Sequence, residues 1–322
     1  MNWLITGGCG FIGTSLIKDL IAEGGHNIRV IDNLTVGSRD DLAAVCSYTE
    51  ILPDNLKIQS NKVQLVIGDI LDESLARQVT MGMDVIVHLA ANTGVGPSVE
   101  DPRADCLANV LGTFNYLDAA RLNGLKRFIF ASSGAPAGEV EPPIHEELPP
   151  HPVSPYGASK LAGEGYCSAY FRTFGVETVA LRFGNVYGPG SLHKNSVVAK
   201  FIKQAQAGQN LEIYGDGSQT RDFIYIDDLI AAVRLAASKE GIGGEVFQIA
   251  TNTETTVSEM AGRLVKSLAD HGIENVTIVH GQPRLGDVKR NYSDTSKARR
   301  MLGWTPQYDL SLGLARTLAY FL

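Results

Sequence analysis

Tyr156 and Lys160, in the run Pro155-Tyr156-Gly157-Ala158-Ser159-Lys160, stand about one helical turn apart and share a face if the segment is helical. A phenol beside a cation can act as a base near neutral pH. An ammonium favours the phenolate and brings down a proton affinity that ordinarily lies near pH ~10. Such a pair could take the proton of a sugar hydroxyl. Tyr-x-x-x-Lys also arises by chance on surface helices, so its meaning depends on the residues around it.

Trp3-Leu4-Ile5-Thr6 runs into Gly7-Gly8-Cys9-Gly10-Phe11-Ile12-Gly13 and then an apolar helical pattern, the strand, turn and helix that a dinucleotide loop requires. Gly7 and Gly10 permit a tight turn close to a pyrophosphate. The helix opening at Phe11 and Ile12 aims backbone N–H groups at it, and Gly13 permits close helix–strand packing. Asp32, 19 residues past Gly13 at the end of the next strand, suits a carboxylate accepting from a ribose hydroxyl. Asp32-Asn33 has no basic residue directly after it, which favours NAD over NADP, although Arg39 lies nearby. Gly68-Asp69-Ile70 and His88-Leu89-Ala90-Ala91, each at a strand's C-terminal end, are placed to flank the adenine and ribose, with His88 read as structural.

Six short apolar runs position these residues: Trp3–Thr6, Ile28–Ile31, Gln64–Ile67, Val85–His88, Arg127–Ala131 and Thr178–Leu181. They alternate with helical patterns at Phe11–Ala22, Arg103–Leu122 and Pro155–Phe174, which predicts a doubly wound parallel sheet, an α/β fold of the Rossmann type. Residues 35–62 read as a long connection. Six prolines between Pro142 and Pro155 make the approach to Tyr156 a loop, and Pro155 suits the first turn of a helix.

The second half mixes strands at Leu211–Tyr214, Phe223–Ile226 and Val246–Ile249 with helices near Ser196–Ala207, Asp227–Ala237 and Ser258–Ala269. The expected division is a dinucleotide domain over residues 1–186, to which 222–252 returns, and a smaller, interleaved α/β substrate lobe over 187–322.

The chain has 322 residues, 44% apolar and 20% charged, with a net charge of −7, which supplies no electrostatic footprint for nucleic acid. Cys9, Cys46, Cys106 and Cys167 are scattered without metal-ligand spacing, so a reducing compartment and no metal site are expected. No apolar run approaches a membrane span and no signal peptide is evident, so the expected location is cytoplasmic.

Gly7-x-x-Gly10-x-x-Gly13, Asp32, His88-Leu89-Ala90-Ala91, Ser132-Ser133, Tyr156-x-x-x-Lys160 and Leu181-Arg182-Phe183-Gly184-Asn185-Val186-Tyr187-Gly188-Pro189-Gly190 occur in one order. Together they resemble the extended short-chain dehydrogenase/reductases, and within them the nucleotide-sugar epimerase branch, from Met1 to about Trp304-Thr305-Pro306. The resemblance implies that Ser133 hydrogen-bonds the reacting hydroxyl, Tyr156 takes its proton, and Lys160 binds the nicotinamide ribose of NAD. Read alone, Ser133 could simply end a strand.

The resemblance also implies a UDP-sugar clamp. Asn185, Arg221 and Arg284 would contact the diphosphate and Asp287 the ribose, while Leu211, Ile213 and Tyr214 pack the uracil and Thr93 joins the substrate site. Asn291 aligns with a position that gates the sugar's C2 substituent. The implied activity is 4-epimerisation of UDP-glucose and UDP-galactose through a transient 4-keto sugar, with UDP-N-acetylglucosamine and UDP-N-acetylgalactosamine admitted by the small Asn291.

Dehydratases and decarboxylases of the same kind need an acid after the catalytic hydroxyl residue. Here Gly134-Ala135 follow Ser133, and Pro136-Ala137-Gly138 replace the usual Val-Tyr-Gly. UDP-glucuronate epimerisation, a dehydratase or decarboxylase activity, and a non-catalytic NAD-sensing protein remain the rival readings. The helices at Arg103–Leu122 and Pro155–Phe174 are the pair that forms a homodimer in such relatives.

Overall fold

A computed structural model describes residues 1–57, 62–191, 196–283 and 288–322. By contacts they divide into two units. The first comprises Met1–Gly138, Pro149–Arg182 and Ala232–Phe247, and the second Glu139–Leu148, Phe183–Ala231 and Gln248–Leu322.

The first unit opens with β1 (Asn2–Thr6), α1 (Phe11–Glu23) and β2 (Asn27–Asp32). The stretch expected to be a plain connection holds α2 (Arg39–Ala43) and β3 (Tyr48–Glu50) before β4 (Val63–Ile67). Next come α3 (Glu73–Thr80), β5 (Val85–His88), α4 (Val95–Glu100) and α5 (Pro102–Cys106), then a π turn over Leu107–Gly112, α6 (Thr113–Leu122) and β6 (Arg127–Ser133). After the long loop, α7 (Pro155–Phe174) leads into β7 (Thr178–Phe183).

The second unit contains β8 (Asn185–Tyr187), α8 (Val197–Gln206), β9 (Leu211–Tyr214), β10 (Thr220–Arg221) and β11 (Phe223–Tyr225). From it α9 (Ile226–Ser238) carries the chain back to β12 (Glu245–Ile249) at the edge of the first unit's sheet. The second unit then resumes with β13 (Thr255–Thr256), α10 (Val257–Asp270), β14 (Ile278–Gly281), α11 (Ser296–Leu302) and α12 (Leu310–Phe321).

One sheet runs in the order β12-β7-β6-β5-β1-β2-β4-β3. The pairings of β1 with β2 and β5, of β4 with β2 and β3, and of β5 with β6 are all parallel. The chain winds outward from β1 to β4 and β3, then restarts on the other side at β5. That reversal leaves a crevice beyond the carboxyl ends of β1 and β5, where open parallel sheets bind ligands. With its flanking helices the sheet has the expected Rossmann-type α/β architecture.

The core of this unit joins Leu75 and Val79 of α3, Tyr116, Leu117 and Ala120 of α6, and Cys167 and Tyr170 of α7 to Phe128 and Phe130 of β6. Helix α7 is the element that carries Tyr156. Ser154 caps it by accepting from the Gly157 N–H, Pro155 occupies its first turn, and Gly175 ends it in the left-handed conformation. Gly163 faces the Phe130 ring so closely that a Cβ there would fall well inside van der Waals contact. That glycine lets α7 lie directly on β6.

Among the described residues the second unit has three two-stranded ladders, β10 with β13, β11 with β8 and β14 with β9. Buried acids hold its loops. Asp222 accepts from the backbone of Thr251, Asn252 and Ser293, and Asp228 accepts from the backbone of Gln307 and Tyr308. The segment Glu139–Leu148, expected in the dinucleotide domain, belongs here. Ile144 exchanges backbone hydrogen bonds with Tyr292 and Asp294, and the Glu146 carboxylate accepts from the Gln248 N–H at 2.7 Å.

Gly163→Ala should cost about 1–3 kcal/mol, because the added methyl overpacks the Phe130 ring. Urea denaturation reads this directly, and wild-type stability in the variant would contradict close packing of α7 on β6.

Candidate active site

The first unit brings the dinucleotide residues together at the ends of β1, β2 and β5. Gly7 has φ +67°, and a Cβ on it would stand 2.8 Å from the Ala90 N, so only glycine lets the first turn pass the strand-end segment Leu89-Ala90-Ala91. Gly10 caps α1 with no side chain closing its first turn, and that turn, from Phe11 through Gly13, holds no acid. This is the arrangement that receives a pyrophosphate.

Asp32 is 8% exposed and accepts from the Cys9 N–H at 2.9 Å and the Leu34 N–H at 2.8 Å. Burial pushes its carboxyl above the ordinary range, while those two N–H groups hold it down. Each oxygen therefore keeps acceptor capacity for a ribose hydroxyl. Asn33 donates to Asp69 at 3.0 Å, joining the ends of β2 and β4. Ile70 is buried and Thr93 is exposed. Arg39 is engaged by both oxygens of Glu50, which ties down the nearby cation that could have met a 2′-phosphate.

His88 is structural, as expected. It is 1% exposed, lies between the Thr6 and Thr113 hydroxyls at 3.0 and 3.2 Å, and burial drives its pKa down to about 3.

The structure also brings Ser133, Tyr156 and Lys160 together. The Ser133 Oγ accepts from the Ala135 N–H at 3.0 Å, which anchors the oxygen and leaves its own proton to donate elsewhere. The Lys160 Nζ donates to the Ala131 carbonyl at 2.9 Å and lies 5.0 Å from the centre of the Phe130 ring and 5.9 Å from that of Tyr156.

The electrostatics differ from those expected of an ammonium beside a phenol. Part of Tyr156 is open to solvent, yet the protein surrounding its hydroxyl is enough for desolvation to push the phenol's pKa up. The group that favours its phenolate is Ser133, and Asp105 works the other way. Lys160 is itself shifted, down to about 8, because burial penalises its charge; Asp105 and Glu164 oppose that shift. The lysine's clearest structural task is to join α7 to β6.

Four residues of the site carry no signal that spacing alone could supply. Glu164, one turn past Lys160, is bound by Arg182 through two hydrogen bonds of 2.8 Å and by the Ser132 hydroxyl at 2.6 Å, all three being buried. This ion pair ties α7 to β7 and to the strand end that presents Ser133. In the π turn, Asn109 donates to the Asn92 carbonyl, the Asp105 carboxylate and the Ser159 hydroxyl, and accepts from the Asn92 N–H. Asp105 and Asn109 stand one turn apart, but the same run also carries Asn115, Asp118 and Arg121, so their spacing does not single them out.

The remaining predicted residues fall in the second unit. Asn185 is exposed, and Asn291 is half-buried with its N–H donating to the Thr220 hydroxyl at 3.3 Å. The Arg221 Nη1 donates to the Thr220 and Val288 carbonyls at 2.6 and 2.8 Å. Leu211 and Ile213 have their side chains wholly buried in the core, which leaves any contact with a uracil to their backbone and to the exposed Tyr214. Arg284 and Asp287 lie outside the described residues.

The model of the NAD dependent epimerase/dehydratase family matches residues 3–250. The chain belongs to that family. NAD is the family's cofactor, and the glycine turn with Asp32 fits it. The family member UDP-glucose 4-epimerase of Mycolicibacterium smegmatis is 36% identical over 100% of this chain and 98% of its own. The solved UDP-glucose 4-epimerase of Thermotoga maritima, with UDP-glucose, superposes with a TM-score of 0.88 at 33% identity, covering 100% of this chain and 98% of that one. A dTDP-glucose 4,6-dehydratase of Streptomyces niveus is 32% identical over 100% of this chain and 93% of its own, so the family likeness spans more than one reaction.

The shift of Lys160 has a consequence for stability. Between its folded value of about 8 and its ordinary 10.5, the unfolded chain binds more protons than the native state, so stability from this group rises with pH there. Below pH 8 the full cost, about 3 kcal/mol, is present. The unfolding free energy of the wild type should gain on that of Lys160→Met by up to ~1.4 kcal/mol per pH unit in that window. Parallel urea titrations decide it, and a pH-independent gap would sink the assignment.

Proposed function

We propose that the protein is an isomerase, an NAD-dependent 4-epimerase of a UDP-sugar acting on UDP-glucose and UDP-galactose, with room at Asn291 for the N-acetylhexosamine pair. The observation that carries this reading is the turn after Ser133. Gly134 and Ala135 place no side-chain acid or base beside the catalytic hydroxyl, and the Ala135 N–H is occupied in holding the Ser133 oxygen. A 4,6-dehydratase or a decarboxylase needs further acid or base groups at that point to carry a 4-keto sugar onward.

In this reading Ser133 donates to the oxygen on C4, and the Tyr156 phenolate accepts the C4 hydroxyl proton. The glycine turn Gly7–Gly13 and Asp32 would hold NAD, which would supply the redox chemistry at C4. Tyr156 then gives its proton back, so the cycle consumes neither oxidant nor base. Arg221, with Arg284, and Asn185 would hold the diphosphate and Asp287 the ribose, with Thr93 also at the substrate.

A homodimer is part of the same reading. Leu107, Leu111 and Leu122, with Tyr166 and Phe174 of α7, are exposed apolar side chains on the run Pro102–Leu122 and its neighbour helix. Cys106, Leu107, Val110, Leu111, Phe114 and Tyr166 line one apolar depression there. Such a patch on α7 and its neighbour suits a second copy of the chain. The cytoplasm is the compartment that fits free thiols and a nucleotide-sugar substrate.

Proton NMR of the purified protein with UDP-glucose, UDP-N-acetylglucosamine or UDP-glucuronate tests the activity. Interconversion of axial and equatorial H4 is expected with the first two, whereas a 6-deoxy methyl signal or released carbon dioxide would refute epimerisation. Tyr156→Phe should lose at least ~100-fold in kcat while still binding NAD. Leu111→Arg should convert a dimer to a monomer in sedimentation velocity, and an unchanged sedimentation coefficient would contradict that interface.

A further inference from the structure

Proton transfer as described leaves one buried carboxyl without a task. Asp105 on α5 is 1% exposed. Its Oδ1 accepts from the Asn109 Nδ2 at 2.9 Å, and its Oδ2 has no hydrogen-bond partner. A buried carboxyl so incompletely satisfied is costly unless a charge compensates it.

The groups around Lys160 show where that charge is. Among the described residues, its own helix presents Tyr156 and Glu164, α5 presents Asp105, and β5 presents the neutral His88. From β6 come only the Ala131 carbonyl and the Phe130 ring, and Arg182 of β7 is joined to Glu164. Glu164 is thus matched by a bidentate guanidinium and a hydroxyl. Asp105 has no guanidinium of its own, and the buried ammonium of Lys160 has only one hydrogen bond. The two incomplete groups are not in hydrogen-bond contact, and they act on each other through the buried field between them. Asn109 bridges them structurally, since the amide that binds Asp105 also binds Ser159, the residue before Lys160.

We propose that Asp105 is a positioning residue of the proton-handling pair, the buried counter-ion that Asn109 fixes and that holds Lys160 as an ammonium beside Tyr156. The proposal rests on reading Tyr156 and Lys160 as that pair. The carboxylate acts on both partners in one sense: it favours the charged lysine and opposes the charged phenol. Without it, both protons leave at lower pH.

Asp105→Asn removes the charge while keeping the size and the acceptor for Asn109. Carbon-13 NMR of the NAD-bound protein, labelled at lysine Cε and assigned with Lys160→Met, reads the lysine without any substrate. The Lys160 midpoint should fall by on the order of one pH unit in Asp105→Asn and stay near wild type in Asp105→Glu. An unchanged midpoint in Asp105→Asn overturns the proposal. If that variant does not fold by circular dichroism, Asp105→Ser carries the same expectation.

Turnover supplies a second readout. Both limbs of the kcat/KM profile for UDP-glucose should move to lower pH in Asp105→Asn. A smaller amplitude with unmoved limbs is the mark of a purely structural role and also overturns the idea. Should the wild type epimerise no sugar, the functional reading fails while the NMR midpoint still decides on Asp105.

Discussion

The first unit is organised around one ammonium that has almost no access to water. Lys160 is 3% exposed, and an isolated buried charge would cost several kcal/mol even after relaxation. Its compensation comes from separate pieces of the chain: the Ala131 carbonyl and Phe130 face of β6, the Asp105 carboxylate of α5, and Glu164 one turn further along α7. Satisfying the lysine therefore fixes where α7 lies relative to β6 and α5. Tyr156 and Ser133 inherit their proximity from that requirement.

A second buried charge pair reinforces it. Arg182 and Glu164 join α7 to β7, and the Ser132 hydroxyl brings in the end of β6. Replacing such a pair by apolar side chains can be neutral for stability, so its presence is better understood as fixing one arrangement of the site. The second unit uses the same economy differently. There, single carboxylates such as Asp222 and Asp228 collect backbone N–H groups from distant loops, giving irregular chain the satisfaction a ladder would otherwise provide.

Elements with an autonomous signal were legible in the sequence. Val85–His88 and Pro155–Phe174 have the expected bounds, because an apolar run between polar residues and a capped helix with Pro155 and Gly175 at its ends are local features. Helix α3 was missed. It is eight residues long, and its hold comes from α6 and from the Asp72 cap. The connection at 35–62 concealed α2, held by the reciprocal Ser38–Asp41 cap, and β3, which exists because β4 offers it a partner. Ser133, Tyr156-x-x-x-Lys160 and the glycine loop stood out as motifs. Asp105, Asn109, Glu164 and Arg182 did not, since what distinguishes each is a partner distant in sequence or a burial that spacing does not encode. For the same reason the adjacency of Tyr156 and Lys160 on a helix was visible, while the desolvation that pushes the phenol's pKa up was not.

The run Arg103–Leu122 reads as one continuous helix, but the π turn at Leu107–Gly112 divides it. A π turn amounts to one residue more than the α-helical count, so it offsets the faces on its two sides by about 100°. Asp105 just before the turn and Asn109 within it meet α7 at the site; after the turn, Tyr116, Leu117 and Ala120 belong to the core. The backbone has thereby set two rotational phases along one rod. Substitution can alter either face alone, but a single-residue deletion in this stretch would throw one of them out of phase.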